Sequence, residues 1–199
     1  DYNQIVKGGG HGNYKLIVLA PNSSQEMCDL TMLCFELADR YRMPVVLMAD
    51  GFIGQMMEPV EFPPPVDHLP EKPWAIQGDA QDENRIITSI QLEPELLEKH
   101  NQHLQEKYAQ ISKREVRYED YQVEDADFVF IGYGVVSRIL QTVVDDLRSQ
   151  GKKVGMVRPI SLWPFPAAHL AEVAARVKGF LVVELSNGQM VDDVRLAVE

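Results

Sequence analysis

The chain settles at Leu16-Ile17-Val18-Leu19-Ala20 into an unbroken apolar run of strand length, the pattern of a strand buried on both faces. Ser23-Ser24-Gln25-Glu26 follows with the spacing of a capping box, and apolar residues then recur at three and four positions, which predicts a helix to about Tyr41. Pro44 to Met48 is a second buried strand, so the three elements form one βαβ unit. On the helix, Met27, Leu30, Cys34, Leu37 and Tyr41 make a stripe that Cys28, Met32 and Phe35 widen to roughly 200° at 100° per residue. An arc that wide needs cover on two sides, and two strands cannot supply it. The opening sixty residues thus have more apolar surface than they can hide, and they are expected to be part of a larger sheet, with the chain an internal fragment of a longer protein.

Six of the twelve prolines fall between Pro59 and Pro73, three of them consecutive at Pro63-Pro64-Pro65, where neither a helix nor a central strand can continue. A domain boundary is expected there. Beyond it, Pro94 opens an amphipathic helix that aligns Leu97, His100, Leu104, Tyr108 and Ile111. From Asp127 strands and helices alternate. The pattern gives a strand from Phe128 to Ile131, a helix from Val135 to Gln150 closed by Gly151, and a strand from Val154 to Arg158. A helix from Pro166 to Lys178 closed by Gly179, a strand from Leu181 to Glu184 and a last helix from about Asn187 to Glu199 follow. Such alternation builds a parallel sheet faced by helices. The fold class is α/β, divided as 1–62, a Pro-rich linker and amphipathic helix over 63–126, and 127–199.

Charge sharpens this division, because the net charge is −4 over residues 1–61, −7 over 62–126 and zero over 127–199. The acid excess marks the middle as solvated connection. A total of −11 argues against a nucleic-acid or anionic-membrane surface. No apolar run approaches the ~20 residues of a membrane span, and no signal-peptide pattern opens the chain. A soluble, cytoplasmic protein is expected. Cys28 and Cys34, about 600° apart on their helix, share no face and are too few for a cluster site. They read as small buried hydrophobes, and no iron-sulfur cluster is expected on this chain.

Five places could carry chemistry. Gly8-Gly9-Gly10-His11-Gly12 can bring backbone close to a ligand or another subunit, although composition alone favours a flexible loop and one histidine is no general base. Asp50-Gly51 stands at the carboxyl end of a strand, where open α/β sheets bind ligands. Gly54 to Phe62 offers Glu58 or Glu61 as an acid/base group, but more commonly such a segment is an interface strap padded with methionine. Gly132-Tyr133-Gly134 sets a helix N-terminus where an anion can meet it, without the third glycine of a dinucleotide fingerprint. Arg158 to Pro166, with three prolines, a Trp and a Phe, reads as a rigid connector suited to subunit packing. No catalytic residue and no metal ligand is assigned.

Lys7 to Lys15, Leu19-Ala20-Pro21-Asn22-Ser23, Gly54-Gln55-Met56-Met57-Glu58-Pro59-Val60, Gly132-Tyr133-Gly134, Arg158-Pro159 and Trp163-Pro164-Phe165-Pro166 together resemble, from end to end, the alpha subunit of 2-oxoacid:ferredoxin oxidoreductases. The branched-chain, 2-ketoisovalerate branch is the nearest match. The resemblance implies that 1–62 is the closing part of a pyrimidine-binding thiamine diphosphate domain and that 127–199 is a three-layer α/β domain like the C-terminal domain of transketolase, expected to be truncated. It implies an enzyme that oxidatively decarboxylates a 2-oxo acid on thiamine diphosphate, with CoA and ferredoxin as co-substrates and other subunits as partners. Magnesium and iron-sulfur clusters are then expected on those partners, since Ala49 breaks the Gly-Asp-Gly start of a magnesium-pyrophosphate motif. The family's catalytic glutamate and its Gly-Pro-Ser-Thr-Gly segment do not occur in this sequence. Gly10, His11, Gly12, Asp50 and Gly51 are the residues expected near the cofactor or an interface, and the fragment alone is expected to be inactive. Two alternatives stand beside this: the same family acting on 2-oxoglutarate or pyruvate, and a non-catalytic interaction module.

Overall fold

The structure, a computed structural model, describes residues 1–8, 10, 12–65, 71–88 and 90–199. In chain order its elements are α1 (Tyr2–Val6), β1 (Ile17–Leu19), α2 (Ser24–Tyr41), β2 (Val45–Leu47), α3 (Pro94–Arg114), β3 (Tyr118–Tyr121) and β4 (Phe128–Ile131). They continue with α4 (Val135–Ser149), β5 (Val154–Pro159), β6 (Ser161–Trp163), α5 (Ala167–Ala174), β7 (Gly179–Val182) and α6 (Met190–Val198). The described residues gather into two units, one of 1–62 with 111–199 and one of 63–110.

In the first unit, β1 and β2 pair in parallel, Ile17 opposite Val45 and Leu19 opposite Leu47, with α2 as their crossover. The other edge of β1 is taken by β6, antiparallel, with Val18 opposite Trp163 and Leu19 opposite Ser161. This sheet, in the order β2-β1-β6, corrects the connector reading of residues 158–166. The run between Pro159 and Pro164 is a strand whose Leu162 is fully buried, and flanking prolines hid it because they mimic a loop. The apolar arc of α2 is only partly covered: Leu30 and Leu37 are buried, whereas Phe35 is 71% and Met32 36% exposed. Cys28 and Cys34 are half-buried, not buried as expected, and burial pushes the Cys34 thiol up from its ordinary value.

A second sheet runs β3-β5-β4-β7, with β4 parallel to both β5 and β7 and β3 antiparallel to β5 at the edge. Side-chain alternation sorts its two faces. Val129, Ile131 and Val157 join Leu170 and Val173 of α5 and Met190 and Val194 of α6, in one core with Tyr2, Val6, Val18, Ala20 and Leu162. Phe130 packs on the opposite face with Val154, Met156 and Val136, Leu140 and Val144 of α4. Three layers result. Two boundaries differ from expectation, since α5 ends at Ala174 and Gly179 opens β7 instead of closing a helix. β3, Tyr-Glu-Asp-Tyr, has no apolar pattern and was not legible; backbone pairing with β5 makes it a strand.

Glu115, 3% exposed, ties the end of α2 to the turn before β3: the Tyr41 hydroxyl donates to it at 2.6 Å and the Arg117 guanidinium at 3.0 Å. Unit 63–110 holds a turn in which Asp82 accepts from the backbone of Gln77, Gly78 and Asp79 and pairs with Arg85 at 2.8 Å. Among the described residues no helix is long and apolar enough to cross a membrane.

Gly155 of β5 shows how tightly the edge is packed. A Cβ there would lie 2.5 Å from the Gln122 carbonyl oxygen and 2.9 Å from Val123 Cα, and both are backbone atoms that cannot swing aside. Gly155→Ala should therefore cost about 3 kcal/mol, read as a lower urea midpoint at unchanged slope. Gly51→Ala, with nothing within 4 Å, should stay within about 0.5 kcal/mol of the parent.

Candidate functional site

Two of the expected places turn out to face each other. The N-terminus of α4, opened by Gly132-Tyr133-Gly134, does meet an anion, and that anion is Asp50. Its Oδ2 accepts the Val135 N–H at 2.8 Å, while Oδ1 accepts the N–H groups of Phe52 and Ile53 at 3.0 Å each. Asp50 thus closes the loop after β2 on itself and caps a helix 85 residues away. Gly134 makes this possible: at φ +60 and ψ −143 it occupies a region that side chains avoid, and a Cβ would stand 2.5 Å from Asp50 Oδ2. Ser137, one turn on, donates to the Gly134 carbonyl at 2.8 Å and accepts from the Asn22 amide at 3.3 Å.

The N-terminus of α2 is tied down in the same manner. Ser23 Oγ accepts the Glu26 N–H at 3.1 Å, the first half of the capping box, but the Glu26 carboxylate reaches one residue further back and accepts the Asn22 N–H at 2.9 Å instead of Ser23's own. Glu26 also receives Arg158 through both guanidinium nitrogens, at 2.7 and 2.8 Å, and Glu119 meets the same arginine at 3.0 Å. Arg158 is 2% exposed, so these partners replace the water its guanidinium has lost. Glu58 accepts the Ser24 N–H at 2.9 Å and pairs with Arg138 of α4 at 2.7 Å, and these contacts hold its carboxyl below the usual range. The Gln25 side chain and the Glu61 backbone exchange hydrogen bonds at 2.8 and 2.9 Å. The segment 54–62 is therefore a strap across α2, and Glu58 is a structural carboxylate within it.

The carboxyl ends of β2, β4 and β7 border a cavity of about 280 Å³ lined by Tyr2, Met48, Asp50, Tyr133, Glu184 and Ser186 among others. Glu184 repeats the logic of Asp50, accepting the N–H groups of Gln189, Met190 and Val191 at the start of α6 at 3.0–3.2 Å, and also the Ser186 hydroxyl. Burial works against its charge, but those donors outweigh it and lower its pKa. Burial and the nearby carboxylates Glu184 and Asp50 push the Tyr133 hydroxyl up. Tyr2, whose hydroxyl donates to Asp193 at 2.6 Å, is pushed up by burial and by that carboxylate.

Of the residues expected near a cofactor, the structure brings Asp50 to this cavity. Gly51 is exposed beside it. Gly10 and Gly12 are exposed too, Gly12 at φ +94, and His11 lies outside the described residues. Sequence reasoning missed Glu184, Tyr2 and Arg138. Glu184 could have been found by the strand-end rule that found Asp50. An open groove of about 770 Å³ lies between Lys15, Lys113, Trp163 and the stacked pair Tyr118–His169; Asp120 holds His169 at 2.8 Å there, and Asp193 holds Lys7. Among the described residues no three His, Cys, Asp or Glu gather as a metal site would need.

Residues 1–120 match the family profile for the thiamine-diphosphate-binding region of pyruvate flavodoxin/ferredoxin oxidoreductases, and residues 126–199 match that for core domain II of pyruvate:ferredoxin oxidoreductase. The chain is 53% identical, over 99% of its length, to the ketoisovalerate oxidoreductase subunit VorB of Methanothermobacter marburgensis, of which it spans 56%. It is 33% identical over 96% of its length to the 2-oxoglutarate synthase subunit KorA of the same organism, spanning 58% of that protein. The chain thus spans little more than half the length of these curated relatives. Its fold follows that of the 2-oxoglutarate:ferredoxin oxidoreductase of Magnetococcus marinus, solved with 2-oxoglutarate, coenzyme A and succinyl-CoA bound. That likeness has a TM-score of 0.77 at 20% identity and covers 98% of this chain and 39% of that one.

The carboxylate network makes two checkable statements. Removing Glu26 takes both of its bonds from a buried arginine and leaves it only the half-exposed Glu119, whereas removing the arginine leaves acids that water can reach, Glu119 being 52% exposed at its side chain. Glu26→Ala should therefore cost about 3–5 kcal/mol and Arg158→Met markedly less, by chemical denaturation. Glu184, its pKa depressed in the fold, stabilises the native state above the unfolded carboxyl value of about 4.3 and ceases to do so as pH falls through the folded value. Glu184→Gln should cost about 1–2 kcal/mol near neutral pH, and its stability curve should converge on the parent's as pH falls through the depressed folded value, below the unfolded carboxyl's.

Proposed function

We propose, from the premise that this chain belongs to the family of thiamine-diphosphate-binding pyruvate flavodoxin/ferredoxin oxidoreductase subunits, that the protein it comes from is the alpha-type subunit of a 2-oxoacid:ferredoxin oxidoreductase acting on 2-ketoisovalerate. In this reading a branched-chain 2-oxo acid loses CO₂, its acyl carbon is oxidised by two electrons and transferred to CoA, and the electrons leave through iron-sulfur clusters on partner subunits to two ferredoxins. The single observation that carries the choice of substrate is the 53% identity to a ketoisovalerate oxidoreductase subunit, against 33% to a 2-oxoglutarate synthase subunit.

Thiamine diphosphate, when bound, supplies the carbanion chemistry of such a reaction. The described residues do not by themselves form a cradle for it, because Asp50, Glu58 and Glu184 are each committed to backbone N–H groups of this chain. No chemical step is assigned to them. Their proposed part is to fix the strand-end loops beside which a cofactor and a partner subunit sit, with Asp50 and Gly51 on one side and the Gly10-His11-Gly12 loop as a second bordering segment. Residues 1–62 are read as the closing part of the pyrimidine domain, 63–126 as the connection, and 127–199 as the transketolase-C-terminal-like domain. Magnesium and the clusters belong to the partners in this reading, and the site of action is the cytoplasm.

The test is the full-length subunit co-expressed with its partner subunits and assayed for CoA-dependent dye reduction with 2-ketoisovalerate, pyruvate and 2-oxoglutarate. The expected result is a kcat/KM for 2-ketoisovalerate at least about tenfold above either competitor, the discrimination that a shaped apolar pocket provides. Preference for another of the three acids would move the enzyme within its family. No turnover with any of them, in an assembled complex, would leave a non-catalytic interaction module.

A further inference from the structure

The unit spanning 63–110 has the charge of a solvated linker but not its surface. Ile76, Ile86, Ile87, Ile90, Leu92 and Leu96 are each 53–86% exposed, six large aliphatic side chains within 21 residues. Flexible or charged linkers lack such residues, and exposed aliphatics on a monomer are normally scattered singly. Ile86, Ile87, Ile90 and Leu92 are the densest group of them, and Leu96 and Leu97 in the first turn of α3 are open to solvent as well.

The same unit carries nine acidic and four basic side chains, a net of −5 in 48 residues, while the other 151 residues together reach only −6. Net negative charge per residue is therefore more than twice as dense here as elsewhere. Asp79, Asp82 and Glu83 precede the aliphatics of 86–92 and Glu93, Glu95 and Glu98 follow them, Asp79 and Asp82 being paired with Arg85. Apolar residues among charged ones are the anatomy of a docking patch, and the sign of the charge states what must face it.

We propose that residues 76–98 are the surface through which this subunit binds another subunit of its oxidoreductase complex, the partner presenting an apolar centre rimmed by Lys and Arg. The proposal rests on the reading of the protein as one subunit of such a complex. These aliphatics supply the desolvated area, and the acids on either side of them steer encounter and exclude acidic competitors.

The experiment uses the full-length subunit and its tagged partner subunits, with assembly read by size-exclusion co-elution and by titration, without turnover. Ile90→Asp with Leu92→Asp should leave the far-UV spectrum and melting temperature of the subunit unchanged and weaken assembly at least 100-fold. Glu93→Lys with Glu95→Lys should weaken it about tenfold at low salt, and that difference should vanish as salt rises from about 0.05 M to about 0.5 M. Wild-type affinity in both variants overturns the proposal. A lowered melting temperature of the aspartate variant by itself also overturns it, because the patch is then covered by the protein's own chain. A wild-type complex that assembles but oxidises no 2-oxo acid removes the functional reading and leaves the docking surface standing.

Discussion

The N-terminus of α4 presents backbone N–H groups without helical partners and roughly half a positive charge. In many α/β proteins a ligand answers that charge; here Asp50 does, from the loop after β2. Much else follows from this contact. It requires a glycine at 134, because only a residue without a Cβ lets the carboxylate approach, and it sets the loop after β2 against the loop after β4. The same device recurs at α6, where Glu184 from the loop after β7 caps the helix, and at α2, where Glu58 does so from the strap. Three helices thus begin on acidic side chains supplied by neighbouring segments.

These bonds also join the two regions that the family profiles separate. Asn22, Glu26, Asp50 and Glu58 belong to the first, and Ser137, Val135, Arg138 and Arg158 to the second. Arg158 is the most demanding member. A buried guanidinium is tolerated only while its acids stay in place, so loss of Glu26 costs more than the pair itself contributes. The β1–β6 pairing reinforces the seam from the backbone side, since it adds a strand of the second region to the sheet of the first.

How far the sequence foretells this depends on the kind of signal. α2, α3, α4 and strands β1, β2, β4 and β5 are carried by long periodic runs, and the structure puts them within a residue or two of their expected limits. β3 and β6 were not legible because neither has a hydrophobic period. One is charged at a sheet edge and the other lies between prolines, and each is made a strand by its partner's backbone. The candidate site was legible in part. Both Asp50 and Gly132-Tyr133-Gly134 stood out individually, by strand-end position and by glycine spacing, but their meeting across 85 residues is a tertiary fact that no local window contains.

That meeting limits what these residues can do chemically. A general acid at neutral pH needs a carboxyl whose proton is retained, which takes burial without donors or a neighbouring negative charge. Glu58, Glu115 and Glu184 have the opposite surroundings, with N–H, O–H or guanidinium donors lowering each one. Even Glu115 and Glu184, for which burial is the largest single influence, end below the ordinary value because their donors together outweigh it. Such groups are ionised at pH 7 and hold the structure through the donors they accept from. None of the three is therefore a general acid at neutral pH, and the part the structure shows for Glu58 and Glu184 is to hold the first N–H groups of α2 and α6.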